Sequence, residues 1–360
     1  MKFLQLSGSP YEIGVQHGEQ AKEEVHFSLD SYERLFYDGV GLSWKDAVEQ
    51  AKKHLDFIEQ TDVTFLDEMD GIASGASVDL HDILVLNARS EIALTLQSKI
   101  DGCTSVSVLP PLATDAFLAQ NWDWRGAQAR SLIVTKLEQT NGPTIQMVTE
   151  GGIIGKIGFN SARLGVCLNA IRANVKSNKL PIHLGLRMIL NSENIDEAVA
   201  SVSDQTIASA ANFLIAQDDG EGYAKTINIE VSPTGEDNKT TENSYLYHTN
   251  HLCSDALVEK IGEKNLQTTK NTFVRFNRMK LLLQEQQASG EKVDGDVIKS
   301  WLADHEHQPF SICRHKVSGT SDYTNTITVF AVIMNLTKRT MHFMEGQPCE
   351  PSMEKHLEIE

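Results

Sequence analysis

Asp101-Gly102-Cys103-Thr104-Ser105 is the point at which this chain changes character. Residues 1–102 are charged and patterned for helices, whereas short alternating and β-branched runs begin at Thr104. A cysteine at such a boundary, preceded by glycine and followed by two hydroxyl residues, can be an internal thiol that becomes an N-terminus. The thiol attacks the Gly102 carbonyl, the peptide shifts from nitrogen to sulfur, and water releases a chain beginning with Cys103. Glycine suits the step because it lacks a Cβ and tolerates the backbone geometry the attack demands. The released α-amine titrates near neutrality, at about 7.7–8.0 in model peptides, so it can act as general base to its own thiol. The plainer alternative is a small buried cysteine at the start of a strand.

Composition narrows the class. The 360 residues are 41% hydrophobic and 22% charged, ample for a proper core. A formal charge of −17 argues against a nucleic-acid-binding surface. Cys103, Cys167, Cys253, Cys313 and Cys349 form no C-x-x-C pair, which points to a reducing compartment and away from disulfides or a cysteine-type zinc site. The Met1-Lys2-Phe3-Leu4 start has no apolar core of signal-peptide length, and the most apolar run, Val329 to Met334, is far too short for a membrane span. The expectation is a cytoplasmic protein with neither nucleic acid nor membrane as partner.

Gly8 to Gly18 reads as a turn-rich opening into a helix beginning near Glu19. Trp44, Ala47, Val48, Ala51, Leu55 and Ile58 follow helical spacing behind Ser43 as N-cap, and further helices are expected at Phe65–Ser74 and Leu80–Leu96. Strands are expected at Thr104–Leu109, Ala116–Trp122, Leu132–Leu137, Thr144–Thr149 and Leu164–Asn169. Helices return at His183–Leu190 and Ile195–Val202, the second capped by Asn194. Asn212–Ala216, Thr226–Val231 and Ser244–His248 read as strands, Thr268–Gln287 and Asp296–Asp304 as helices, and Thr326–Met334 with Thr340–Met344 as a closing hairpin. Strands in succession with helices grouped around them indicate an α+β layered fold.

Several residues could serve chemistry at Cys103. Asp123, in Gln120-Asn121-Trp122-Asp123-Trp124, lies one hairpin away and could hold the new amine; it could equally be a turn residue. Asn250, in Tyr247-His248-Thr249-Asn250-His251, offers an amide to a developing oxyanion or a turn cap. Arg314, in Phe310-Ser311-Ile312-Cys313-Arg314, is a cation in an apolar context and requires an anionic partner, in a site or in a structural pair. Glu150 to Asn160 lacks the Gly-Lys-Ser/Thr ending of a phosphate loop and reads as tight turns between strands. His305, His307 and His315, or His248 with His251, could supply metal ligands, but no H-E-x-x-H pattern occurs and no metal is expected. No G-x-S-x-G elbow supports a serine hydrolase.

Taken in order, these segments resemble the isopenicillin N acyltransferase family of N-terminal-nucleophile enzymes (acyl-CoA:aminopenicillanic acid acyltransferases and their relatives). The resemblance runs nearly end to end. It rests on Pro10-Tyr11-Glu12-Ile13-Gly14 with His17-Gly18, Leu86-Asn87-Ala88-Arg89-Ser90-Glu91, Asp101-Gly102-Cys103-Thr104 and Gln120-Asn121-Trp122-Asp123. It continues through Gly152 to Ser161, His248-Thr249-Asn250-His251 and Pro309 to Arg314.

The resemblance implies a four-layer αββα sandwich that cuts itself at Gly102-Cys103. It implies a helical small chain, 1–102, and a nucleophile-bearing large chain, 103–360, which stay associated as one catalytic domain. Cys103 would be the nucleophile, Asp123 would hold its amine, Asn250 would line the oxyanion hole and Arg314 would orient the centre. Ser232 and Ser311 match serines to which the family assigns processing or acyl transfer. The implied activity is transfer of an acyl group from an amide or acyl-CoA, through a Cys103 thioester, to an amine or water. No cofactor is implied beyond acyl-CoA as co-substrate. The alternatives are a hydrolase of small N-acyl or β-alanyl amines and a catalytically silent binding member of the fold.

Overall fold

The computed structural model describes residues 1–93, 102–173, 175–241, 243–261 and 271–359. Asp101, the end of the expected Leu80–Leu96 helix and the first turn of the expected Thr268–Gln287 helix lie outside the described residues. The chain opens with β1 (Lys2–Gly8), then α1 (Pro10–Gln20), α2 (Lys22–Val40), α3 (Trp44–Ala51), α4 (Leu55–Asp62), α5 (Thr64–Ala76), α6 (Leu80–Asn87) and α7 (Arg89–Ala93). Beyond the boundary come β2 (Thr104–Val108), β3 (Phe117–Arg125), β4 (Leu132–Gln139), β5 (Ile145–Glu150), β6 (Ile157–Asn160) and β7 (Leu164–Ala170). Helices α8 (Ile182–Asn191) and α9 (Ile195–Val202) precede β8 (Ala211–Asp218), β9 (Ala224–Ser232), β10 (Gly235–Lys239) and β11 (Tyr245–His248). Then follow α10 (Asp255–Ile261), α11 (Asn271–Ser289), α12 (Gly295–Leu302), β12 (Thr326–Asn335), β13 (Thr340–Glu345) and β14 (Met353–Glu358).

Two sheets form the centre. One runs β1-β4-β5-β6-β7-β8-β9-β10, the other β11-β2-β3-β12-β13-β14. Strands β2 and β3 face β7 and β8, so the sheets stack. Helices α1, α2, α8 and α9 cover the larger sheet and α11 and α12 the smaller, which makes the four-layer αββα sandwich of an α+β fold. The main core fills the space between the sheets and beneath the N-terminal helices. A second core, built on Val106, Phe117, Met279, Leu283 and Trp301, joins the smaller sheet to α11 and α12.

Local chemistry explains where the elements begin. Ser43 and Asn194 cap α3 and α9 as their sequences predict, each accepting a backbone N–H from the first turn. The expected turn-rich opening is instead β1 followed directly by α1. A capping box between Ser9 and Glu12, with Pro10 in the first turn, starts that helix nine residues before Glu19. Gly14 and Gly18 then let α1 lie against α5, where any Cβ would strike the backbone of Glu68 and Ile72. The single stripe from Trp44 to Ile58 is divided by a 3₁₀ turn at Lys52–His54. Strands β1, β10 and β14, unforeseen in the sequence, are each the edge of a sheet.

Candidate active site

Cys103 stands immediately before β2, a strand flanked by β3 and β11. The pairing of Thr104 with Asn121 carries Asp123 two residues further along β3 to the level of the thiol. Alternation along β3 divides its motif between two faces. Gln120 bonds the backbone of Leu168 on the opposite sheet at 2.5 and 2.9 Å. Asn121 points the other way and donates to the Leu302 and Ile312 carbonyls at 2.8 and 3.0 Å. The motif thus tethers β3 to its neighbouring layers, with the backbone carbonyl of Asp123 3.9 Å from the Cys103 sulfur as a weak acceptor.

The Asp123 carboxylate accepts the Thr328 hydroxyl at 2.8 Å. Thr328 in turn accepts the Arg314 backbone N–H at 2.9 Å, so one hydroxyl ties two of the expected site residues together. The register of β12 against β3 shifts between Thr328 and Phe330, a bulge that sets Thr328 beside Asp123. Gly102 closes the group. A Cβ on it would lie 2.5 Å from Asp123 Cβ, 2.8 Å from Asp123 Oδ2 and 2.9 Å from Arg314 Nη1. Space alone therefore demands glycine here. Asp123 is buried within a strand, which disposes of its reading as a turn residue.

Arg275 on α11 was not singled out from the sequence. Its wholly buried guanidinium donates to the Cys103 carbonyl at 2.5 Å, Thr104 Oγ1 at 3.0 Å and Asn250 Oδ1 at 3.0 Å. A guanidinium can only donate, so Asn250 must turn its oxygen toward Arg275 and its NH₂ away. That NH₂ donates to the Ala170 carbonyl at 3.0 Å. Asn169 adds a 3.3 Å hydrogen bond to the Cys103 carbonyl. The signal was a cation on a buried stripe: Asn271, Arg275, Met279 and Leu283 recur every fourth residue and all are buried.

Gly102, Cys103, Asp123 and Asn250 line one cavity of about 30 Å³ with Arg89, Trp122 and Trp124. That is room for a water and not for an acyl substrate. Ser232 and Ser311 are not in its lining. Ser232 donates to the Gly235 carbonyl at 2.8 Å in the turn between β9 and β10, and Ser311 donates to the Cys313 carbonyl at 2.6 Å just before Arg314. Behind the cavity Lys156 pairs with Glu150 and stands 3.5 Å over the Trp122 ring, where burial pulls its ammonium down to about 7. Glu150 also binds Arg89 at 2.9 Å and the Tyr32 hydroxyl at 2.6 Å.

Other buried polar residues within 1–93 hold structure. His17 accepts the Gly152 N–H at 3.0 Å, and Asn87 donates to Gly152 O at 2.9 Å and accepts Ile154 N–H at 3.0 Å. Glu91 accepts from Ile182 N at 3.0 Å and Ser209 Oγ at 2.7 Å. Glu68 and Arg187 form a buried bidentate pair at 3.0 and 2.8 Å.

Known proteins place the whole chain in a family. A 40 kDa form of acyl-coenzyme A:6-aminopenicillanic-acid-acyltransferase from Emericella nidulans is 32% identical over 354 residues, 98% of this chain and 94% of that protein. Among solved structures, a variant of the conjugated bile acid hydrolase from Clostridium perfringens aligns at 12% identity and a TM-score of 0.48, covering 71% of this chain and 92% of that one. Penicillin V acylase from Agrobacterium tumefaciens aligns at 12% identity and a TM-score of 0.41, covering 68% and 83%. The family profile for acyl-coenzyme A:6-aminopenicillanic acid acyl-transferase matches residues 112–350. With a profile over most of its length and a relative along nearly all of it, the chain belongs to the acyl-coenzyme A:6-aminopenicillanic acid acyl-transferase family.

Proposed function

We propose that the chain is a self-processing cysteine acyltransferase and amidohydrolase whose first substrate is its own Gly102-Cys103 peptide. The observation that carries this reading is the seat of Gly102 in the cavity, packed against Asp123 and Arg314 where an acyl group would otherwise lie. Arg275 and Asn169 hold the carbonyl on the far side of Cys103, leaving the thiol to reach back toward Gly102. Attack forms a tetrahedral centre that collapses by expelling the Cys103 nitrogen, which takes up the thiol proton and becomes an amine. The Gly102 acyl group stays on sulfur as a thioester, and water hydrolyses it to a Gly102 carboxylate and the free thiol. Departure of Gly102 enlarges the cavity and places that amine beside the Asp123 carboxylate.

In the mature centre the Cys103 amine takes the thiol proton and the sulfur attacks an amide or acyl-CoA carbonyl. The Asn250 amide, aimed by Arg275, donates to the oxyanion. The proton returns to the departing amine or thiolate, leaving a Cys103 thioester. An acceptor amine or water then discharges it by the reverse sequence. Arg314 orients Asp123 and the acyl chain, and Ser311 acts on Arg314 through the loop they share. Acyl-CoA serves as co-substrate, and no bound cofactor takes part in the acyl chemistry.

Mass spectrometry tests both halves together. Wild-type protein should yield fragments of roughly 11 and 29 kDa, the 39.9 kDa chain divided in the proportion 102 to 258. Incubation with an acyl-CoA or activated acyl ester should add one hydroxylamine-sensitive acyl group to the larger fragment. Cys103→Ala should stay whole and take up none. Wild-type protein that remains intact at neutral pH, or acylates equally well uncut, would overturn the mechanism.

A further inference from the structure

Outside the cavity, four ligand-bearing side chains from three separate segments converge. His305 follows α12, Cys313 and His315 flank Arg314, and Cys349 lies between β13 and β14. His305 Nε2 is 3.0 Å from His315 Nε2. Cys313 Sγ is 3.6 Å from His315 Nε2 and 3.5 Å from Cys349 Sγ. Cys349 Sγ is 3.2 Å from His315 Nε2, and all four ligand atoms lie within 4.8 Å of one another.

Protons alone satisfy this convergence poorly. An imidazole nitrogen carries one hydrogen or one lone pair, so His315 Nε2 can serve one of its three close neighbours and not the other two. A single cation at the centre serves all four. With bonds of about 2.3 Å to sulfur and 2.0–2.1 Å to nitrogen, a tetrahedral zinc spaces its ligands at roughly 3.8 Å for S–S, 3.6 Å for S–N and 3.3 Å for N–N. The four separations given above fall within a few tenths of an ångström of those edges. Two thiolates would also balance the charge of the ion, and a tetrahedral set of two sulfurs and two nitrogens selects zinc among the common divalent metals.

We propose that His305, Cys313, His315 and Cys349 form a structural zinc site that clamps the loop carrying Arg314. The two thiol protons pass to solvent as the metal binds. The exposed edges at His305 and Cys349 give the ion its way in. Two ligands bracket Arg314 directly, so the site would fix the backbone from which that guanidinium reaches Gly102 and whose N–H is joined to Asp123 through Thr328. The sequence reading expected no metal, because no adjacent pair has a familiar zinc spacing and the four meet only in the folded chain. Zinc here takes no part in the bond-making at Cys103, and its binding can be measured whether or not that chemistry holds.

The test uses full-length protein expressed with added zinc, purified under reduction without chelator, and measured by elemental analysis. About one zinc per chain is expected, falling at least tenfold in Cys349→Ser and in His305→Ala, the latter at an exposed position whose loss removes little packing. Cobalt added to the chelator-stripped protein should give the intense visible bands of tetrahedral cobalt and a thiolate charge-transfer band. Chelator should lower the melting temperature of the wild type and not of His305→Ala. Reduced protein that takes up neither zinc nor cobalt overturns the assignment. So does uptake that is unchanged in both variants, or a Cys313–Cys349 disulfide in protein isolated from a reducing cytoplasm.

Discussion

The two sides of the Gly102-Cys103 bond use buried polar residues in opposite ways. On the N-terminal side, His17, Glu68, Asn87 and Glu91 are buried and bonded to backbone or to an ion-pair partner across the boundary. On the C-terminal side, Asp123 and Asn250 are just as buried but line the cavity at Cys103. Burial and resemblance to the family do not distinguish the two sets; the destination of their polar atoms does. The first set would hold a small chain in place after cleavage, helped by the parallel pairing of β1 with β4 and by Arg89 on Glu150. The second would do the chemistry. Substitutions on the two sides should therefore fail in different ways.

The largest effect is expected at the bond itself. Gly102→Val puts atoms where Asp123 and Arg314 already stand. It should stop self-cleavage altogether while the precursor still melts cooperatively, as a gel and a thermal scan would report. Cleavage at wild-type rate in this variant would show that Gly102 is not seated as described.

Next comes the amide. Asn250→Ala should slow both self-cleavage and acylation by about 10²–10³, the usual loss for one oxyanion donor. Cys103 should remain open to alkylation in the matured variant. A fall in melting temperature with an unchanged acylation rate would move Asn250 into the structural set.

Asn87→Ala probes the other side. It leaves the Gly152 carbonyl and the Ile154 N–H without the partner that joins them to α6. The loss should be roughly 2–6 kcal/mol of stability, at about 1–3 kcal/mol for each of the two buried groups left unsatisfied. Chemical denaturation should register it, and the folded fraction should acylate normally. A large loss of rate with no loss of stability would erase the distinction drawn here.

How far the sequence reveals all this depends on where the information lies. Cys103, Asp123, Asn250 and Arg314 stand in compact motifs. The structure packs Asp123 and Arg314 against Gly102 and sets Cys103, Asp123 and Asn250 around one cavity, with Thr328 as an unforeseen link. Arg275 escaped because its partners lie far away in the chain, although its place on an apolar stripe was visible. Strands β1, β10 and β14 escaped for a different reason. Edge strands pair on one side only, and β10 and β14 keep polar residues, as Gly235-Glu236-Asp237-Asn238-Lys239 does, so their alternation is weak where β-structure is real. Strand β1 does alternate, burying Leu4 and Leu6 and exposing Gln5 and Ser7, but only over four residues. Asp218, accepting from Thr337, and Asp115, accepting from Lys338, likewise close the β12–β13 turn through contacts that no local pattern announces.

The most particular prediction concerns Glu91. Burial raises its carboxyl from 4.5 to about 7, against the opposing pull of the Ile182 N–H, the Ser209 hydroxyl and Arg89. One oxygen accepts both of those hydrogen bonds, and the other has no hydrogen-bond partner among the described residues. The folded chain therefore keeps a proton on Glu91 over a range where the unfolded chain has lost it. Stability rises with pH only where the unfolded state binds more protons, and here it binds fewer. The contribution of Glu91 is accordingly best below about 4.5 and declines as pH rises through about 7, with a limiting slope on the order of 1 kcal/mol per pH unit. Glu91→Gln keeps an acceptor of the same shape and removes the titration. The melting temperature of the wild type, taken relative to Glu91→Gln, should thus fall from pH 4.5 to 7 and level off above. Acylation per folded molecule should be the same in both, because Glu91 serves the N-terminal side of the bond. A wild type that instead gains on the variant as pH rises would mean that Glu91 is held ionised, with Arg89 outweighing its burial.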